Sequence, residues 1–237
     1  MSARSADIQK IEPRPFNCNV FSLGEATLKK RSWHSYIPYL SLGILLGLAP
    51  LSSALSASLD NQMKTCSYCH GKDGASTESD VPIIGGYSVE FLVNNLKAYR
   101  DHDRDCPDTK YRSGPDKGKK SSMCQIVKDL KDGDIRQIAV YLSKKKFVHA
   151  KQQFDPALAA KGKEIHDMYC EKCHSDGATQ AKDDAGMMAG QWIPYLSQAM
   201  DEFVGGKRPI PKKMKAKLDE VTPEDMKALI QFYGSYH

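Results

Sequence analysis

Five residues of this chain occur twice in one pattern. Cys66-Ser67-Tyr68-Cys69-His70 is matched 104 positions later by Cys170-Glu171-Lys172-Cys173-His174, and the match extends past the motif. The same offset pairs Gly86 with Gly190, Phe91 with Tyr195, Leu92 with Leu196, Leu96 with Met200, and Tyr99 with Phe203. The offset then falls to 91, pairing Met123 with Met214, Asp134 with Asp225, Ile135 with Met226, Ile138 with Leu229, and Tyr141 with Phe232. A chain that repeats itself in this way folds as two similar units, here of about 90 residues each. The drop of 13 marks an insertion in the first copy within PDTKYRSGPDKGKKSS, whose Gly, Pro and Lys content predicts a surface loop.

Both copies read as helical. Ile135, Ile138, Ala139 and Leu142 stand at helical spacing behind a capping candidate, Asp132. Met226, Leu229, Ile230 and Tyr233 do the same behind Thr222 and Pro223. Earlier helices are predicted over about residues 88–100 and 192–203, with Leu92, Leu96 and Tyr99, or Leu196, Met200 and Phe203, facing the core. No period-two run argues for a sheet. The expectation is an all-α chain of two tandem small domains, 58–144 and 157–237, joined by a linker over 145–156, with the next helix beginning near Ala159.

Residues 1–57 read as a targeting segment. The apolar stretch YIPYLSLGILLGLAPL follows Lys29, Lys30 and Arg31 and precedes SSALSA, a small-residue run suited to cleavage after Ala54 or Ala57. At 16 residues with two prolines it is short for a spanning helix, so membrane attachment is expected only if the segment stays uncleaved. Export predicts an oxidising compartment, the periplasm, and Cys18 leaves with the presequence. A net charge of +5 over 237 residues is too balanced for a dedicated nucleic-acid binder, and a mean hydropathy of -0.51 excludes a multi-span membrane protein.

C-x-x-C-H is the attachment signature of c-type haem. Two thiols one helical turn apart can bond the two vinyl groups of one porphyrin, and the following histidine lies under the ring. Cys66, Cys69, Cys170 and Cys173 are therefore the expected cofactor-binding residues, and His70 and His174 the expected iron ligands. Redox C-x-x-C pairs and a four-thiolate zinc site use the same cysteines but explain neither histidine, and iron-sulfur runs lack them too.

The thioether of methionine suits haem iron and raises its potential. Met123 is the methionine left in the first copy once Met63 and Met168, each within three residues of an attachment motif, are set aside. Met214 lies as far before Phe232 as Met123 does before Tyr141, so the repeat nominates it over Met187, Met188, Met200 and Met226. His102 is a rival in the first copy, but its counterpart is Gly206. With both axial positions filled the iron keeps no open site, and no catalytic centre is expected; the sequence carries no phosphate loop, nucleophile elbow or metalloprotease motif.

Cys106 and Cys124 bracket the insertion. They are expected to form a disulfide, the other use being a reactive thiol able to handle sulfur species. Lys117, Lys119 and Lys120 near Met123, and Lys212, Lys213, Lys215 and Lys217 around Met214, read either as solvated faces or as a positive ring that steers acidic redox partners.

The paired motif resembles the dihaem class I cytochromes c. From the linker onward KQQFDPALA, IHDMYCEKCHSDG, AGQWIPYL and KRPIPKKMKAKL are similar to the cytochrome subunit of flavocytochrome c sulfide dehydrogenase. The resemblance covers about 90 residues closely, and the first copy only at its haem motif, the Met123 region and the terminal helix. It implies two tandem cytochrome domains, two covalently bound haem c groups, a partner subunit carrying FAD at which sulfide is oxidised, and a soluble cytochrome or other redox acceptor. It also matches Cys66, Cys69, His70 and Met123 to one haem and Cys170, Cys173, His174 and Met214 to the other. A freestanding dihaem shuttle to a terminal oxidase or reductase is the alternative.

Overall fold

The structure, a computed structural model, describes residues 51–237, with side chains from Ser58 onward. The presequence expected over 1–57, with Cys18, lies outside the described side chains. The first half holds α1 (Leu51–His70), α2 (Val89–Arg100), α3 (Met123–Val127) and α4 (Asp132–Ser143); the second holds α5 (Pro156–Tyr169), α6 (Ser175–Ala178), α7 (Ile193–Val204), α8 (Lys212–Leu218) and α9 (Pro223–Gly234). A two-residue antiparallel ladder, β1 (Thr109–Lys110) and β2 (Lys120–Ser121), lies in the insertion, so the surface loop carries a short hairpin.

Local chemistry sets the helix ends. Ser88 caps α2 by accepting from the Phe91 amide at 3.1 Å, and Thr222 caps α9 from the Asp225 amide with Pro223 in the first helical position. Asp132 is not the cap of α4. Lys131 occupies that position, and its amide donates to Asp134 at 3.0 Å, while Asp132 pairs with Lys97 and Arg100 across the gap to α2. Helix α5 begins at Pro156, three residues before the expected start, because Asp155 accepts from the Ala157 and Leu158 amides.

Each half closes on a contact between its terminal helices. In the second, α5 crosses α9 at Gly162, where an added Cβ would overlap the Ala228 carbonyl and crowd the Phe232 side chain. Ile165, Leu196, Met200, Leu229 and Tyr233 fill the core beside that crossing. Gly162→Ala is expected to cost about 1–3 kcal/mol by overpacking, read as a lowered urea midpoint, although alanine is the better helix former.

The halves are related by the repeat. Tyr87 and Gln191, equivalent at offset 104, touch each other at 3.1 Å. Tyr87 donates to the Met187 carbonyl at 2.7 Å, and Gln191 donates to the carbonyl of Ile83, the counterpart of Met187, at 2.9 Å. The two contacts are images of one another about an approximate twofold. Met187 packs into the core of the first half, so the halves share apolar packing as well as hydrogen bonds.

Candidate functional site

The last turn of α1 carries Cys66, Cys69 and His70, and these residues face a cavity of about 130 Å³ that Met123 also lines. Met123 reaches it as the first residue of α3, whose cap Ser122 accepts from the Gln125 amide. His70 is buried, and its Nδ1 lies 2.8 Å from the Pro82 carbonyl. That contact places the ring proton on Nδ1 and leaves Nε2 as the basic nitrogen. Burial pushes the Cys66 thiol up to about 11, so it is protonated as long as it is unbonded.

In the second half the turn after α5 and α8 bring Cys170, Cys173, His174 and Met214 to one cavity of about 440 Å³. Met188, Met200 and Met226 line it as well, so the cavity alone does not single out Met214 among these thioethers; the repeat does. Burial raises the Cys170 thiol and lowers His174, which keeps the imidazole neutral and its lone pair available. His102, the rival histidine, is exposed with a φ of 60°, matching 68° at its counterpart Gly206: both end a helix in the left-handed conformation.

Walls are exchanged between the halves. Phe91 and Asn94 of α2 line the second cavity, and their counterparts Tyr195 and Gln198 of α7 line the first. Beside them, Arg104 and Glu202 form an ion pair at 2.8 Å, only 3% and 7% exposed at their side chains. Asn95 Oδ1 accepts from Arg104 at 3.2 Å and from Arg208 at 2.8 Å. Arg104 lies 4.5 Å from the Tyr99 ring centre and Arg208 lies 4.3 Å from that of Phe203. Arg104 and Arg208 are themselves equivalent at offset 104. Burial, with the neighbouring charge of Arg104, lowers Arg208 from its ordinary value.

The residues fit a porphyrin that carries carboxylates. Each cavity offers two thiols one turn apart, a neutral imidazole, buried in the first half and partly buried in the second, and a thioether. Apolar side chains such as Leu218, Val221 and Leu229 supply the remainder of the second wall. Glu202 compensates Arg104, whereas Arg208 donates to the neutral Asn95 and leaves a positive excess for anionic substituents.

No family model matches the chain. Cytochrome c-554(548) of Halomonas halodenitrificans is 33% identical over 88 residues, which cover 37% of this chain and 93% of that relative. The chain belongs to the c-type cytochromes. Cytochrome c4 of Stutzerimonas stutzeri is 27% identical over 220 residues, covering 83% of this chain and 97% of the relative. In fold, the chain resembles reduced recombinant cytochrome c4 from Pseudomonas stutzeri with a TM-score of 0.61 at 22% identity, over 76% of this chain and 98% of that one. The fold is therefore that of two tandem class I cytochrome domains, and this cytochrome is a dihaem electron-transfer protein with two covalently bound haem c groups.

One further group supports the second attachment segment. Glu171 accepts from the Asp176 amide at 2.9 Å, from His166 Nε2 at 2.7 Å and from the Gly177 amide at 3.2 Å, and His166 Nδ1 meets the Tyr233 hydroxyl at 2.9 Å. His166, unremarkable in the sequence, is thus fully buried at the centre of this chain of contacts. The Asp176 amide first, then His166 and the Gly177 amide, hold the Glu171 carboxyl below its ordinary value. A depressed carboxyl contributes stability that is complete above its unfolded value and is lost as pH falls through the folded one. The stability advantage of the natural protein over Glu171→Gln is expected to be full near neutral pH and to shrink below about pH 4.3, as urea midpoints across that range would read.

Proposed function

We propose that Cys66, Cys69, Cys170 and Cys173 bond the two haems, with His70 and Met123 as axial ligands of the first iron and His174 and Met214 of the second. The domains are 58–144 and 157–237, joined by 145–156, and the protein acts in the periplasm once residues 1–57 are removed. The observation that carries this reading is that each motif shares a cavity with the methionine the repeat pairs to it, and that each cavity takes part of its wall from the other half. Haem c supplies a one-electron couple. The chain's part is to hold His70 in one tautomer through Pro82, to keep Met123 and Met214 on short capped or proline-led helices, and to exclude water with the exchanged side chains.

Met123→Ala and Met214→Ala are each expected to remove half of the methionine-dependent near-infrared absorption and to lower one of the two potentials by on the order of 0.1 V, within the roughly 0.8 V range that axial ligands span. A protein that keeps the whole band after either change does not use that methionine.

For the electron donor we propose the FAD of a sulfide-oxidising flavoprotein, with a soluble cytochrome as acceptor. The support is the local wording of the second half, above all KRPIPKKMKAKL around Met214. A freestanding shuttle to a terminal oxidase or reductase is the second reading, favoured by the length of the match to cytochrome c4. Purification of the native protein at low and high salt separates them: a stoichiometric FAD protein supports the first, and a lone dihaem chain at every salt concentration supports the second.

A further inference from the structure

The hairpin of the first half lies across the attachment segment. At its base Cys106 and Cys124 are joined in a disulfide with Cα atoms 5.8 Å apart, and the ladder pairs Thr109 with Ser121 and Lys110 with Lys120. Beyond the ladder the Tyr111 amide donates to Lys119 and the Gly118 amide to Tyr111, which brings the tip back toward α1. There the Arg112 and Ser113 amides both donate to the Tyr68 carbonyl, at 3.1 and 2.9 Å, and the Ser113 hydroxyl does so at 3.2 Å. Tyr68 is the second residue between the two cysteines. Gly114, at a φ of 78°, lies so close to the Tyr68 ring that a Cβ would overlap it. Arg112 also pairs with Asp80, which lines the same cavity, and the Lys110 carbonyl lies 3.9 Å from Cys69 Sγ.

Nothing equivalent covers the second segment among the described residues. Only residues 205–211 connect α7 to α8, the counterpart of Tyr68 is the exposed Lys172, and Cys173 is exposed where Cys69 is half-buried.

We infer that the hairpin is a roof over the haem edge bonded by Cys66 and Cys69, so that the two centres are not equivalent ports. Electrons enter and leave the protein at the second centre, on the face around Cys173, Lys172, Lys213 and Lys217, and reach the first centre from within. The positive side chains suit that face to a redox protein with an acidic surface. The inference rests on the proposed attachment of both haems and adds to it a division of labour that the repeat alone would not suggest.

The test uses the reduced full-length holo-protein and a soluble gadolinium chelate, which broadens the proton resonances of whichever haem it can approach. In the natural protein the resonances of the second centre are expected to broaden and those of the first to be protected. Arg112→Ala/Gly114→Val frees the tip and leaves the disulfide in place; it is expected to abolish the protection while both near-infrared bands and both potentials stay unchanged. Arg112→Ala/Ser113→Pro, which removes the Ser113 amide and hydroxyl bonds to the Tyr68 carbonyl and leaves the attachment segment untouched, is expected to give the same loss. Equal broadening of both haems in the natural protein, or protection that survives both variants, overturns the roof and leaves the dihaem assignment standing. A mature chain without two haems overturns both.

Discussion

Arg104→Met is expected to lower the stability of the holo-protein by about 3–5 kcal/mol and to make its two halves unfold separately, because the substitution leaves a buried carboxylate without its partner at the surface that joins the halves. Glu202 is only 6% exposed and belongs to α7, whereas Arg104 follows α2. Gln198, its other side-chain partner, donates one neutral hydrogen bond at 3.1 Å, which cannot replace a guanidinium in compensating the charge. The same substitution uncovers the Tyr99 ring and removes one of the two donors to Asn95. A double variant, Arg104→Met/Glu202→Leu, is expected to recover most of the loss, since an ion pair exchanged for apolar groups of similar volume is often neutral or stabilising. Urea unfolding followed separately by haem absorbance and by far-ultraviolet circular dichroism would check both statements. If the single variant unfolds like the natural protein, the pair carries little of the coupling between halves.

How much of this could be read before folding depended on whether chemistry was preserved across the repeat. That each C-x-x-C-H run would share a cavity with its paired methionine, and the core faces of α4 and α9, were legible because the same residue types recur at a fixed offset. Arg104 and Arg208 were legible in principle. They continue the offset of 104 five positions past Tyr99 and Phe203, and tracing it that far would have exposed a conserved pair of guanidiniums at the surface between the halves. Tyr87 and Gln191 were not, because a phenol and an amide do the same work on either side of the twofold and nothing in their composition links them. The hairpin escaped for a different reason: a ladder of two residues is too short to leave an alternating pattern, and its direction is set by main-chain bonds to Tyr68 that depend on no particular side chain. His166 looked ordinary because the repeat gives it no histidine partner. Its place is set by Glu171 and Tyr233, neither of which has a counterpart of like chemistry in the first half.

Cys106→Ser/Cys124→Ser is expected to cost about 3 kcal/mol, the chain-entropy value for a loop of this length, and to take with it much of the methionine-dependent near-infrared absorption of the first centre. The two effects have one origin. Cys124 directly follows Met123 at the start of α3, is buried, and donates its amide to Cys106 Sγ at 3.2 Å, so the bridge anchors the turn that presents the thioether. Without it Met123 is held by the Ser122 cap and by the five residues of α3, a helix too short to persist on its own. The second half has no such bridge among its described residues. Met214 sits instead on the seven-residue α8, entered through Pro211, so its half of the band is expected to survive in the double variant. Comparing absorbance in the near infrared with the urea midpoint, at neutral pH and with both haems in place, separates the outcomes. A stability loss with the band intact would make the disulfide a clamp on the hairpin alone; an intact midpoint as well would make it dispensable.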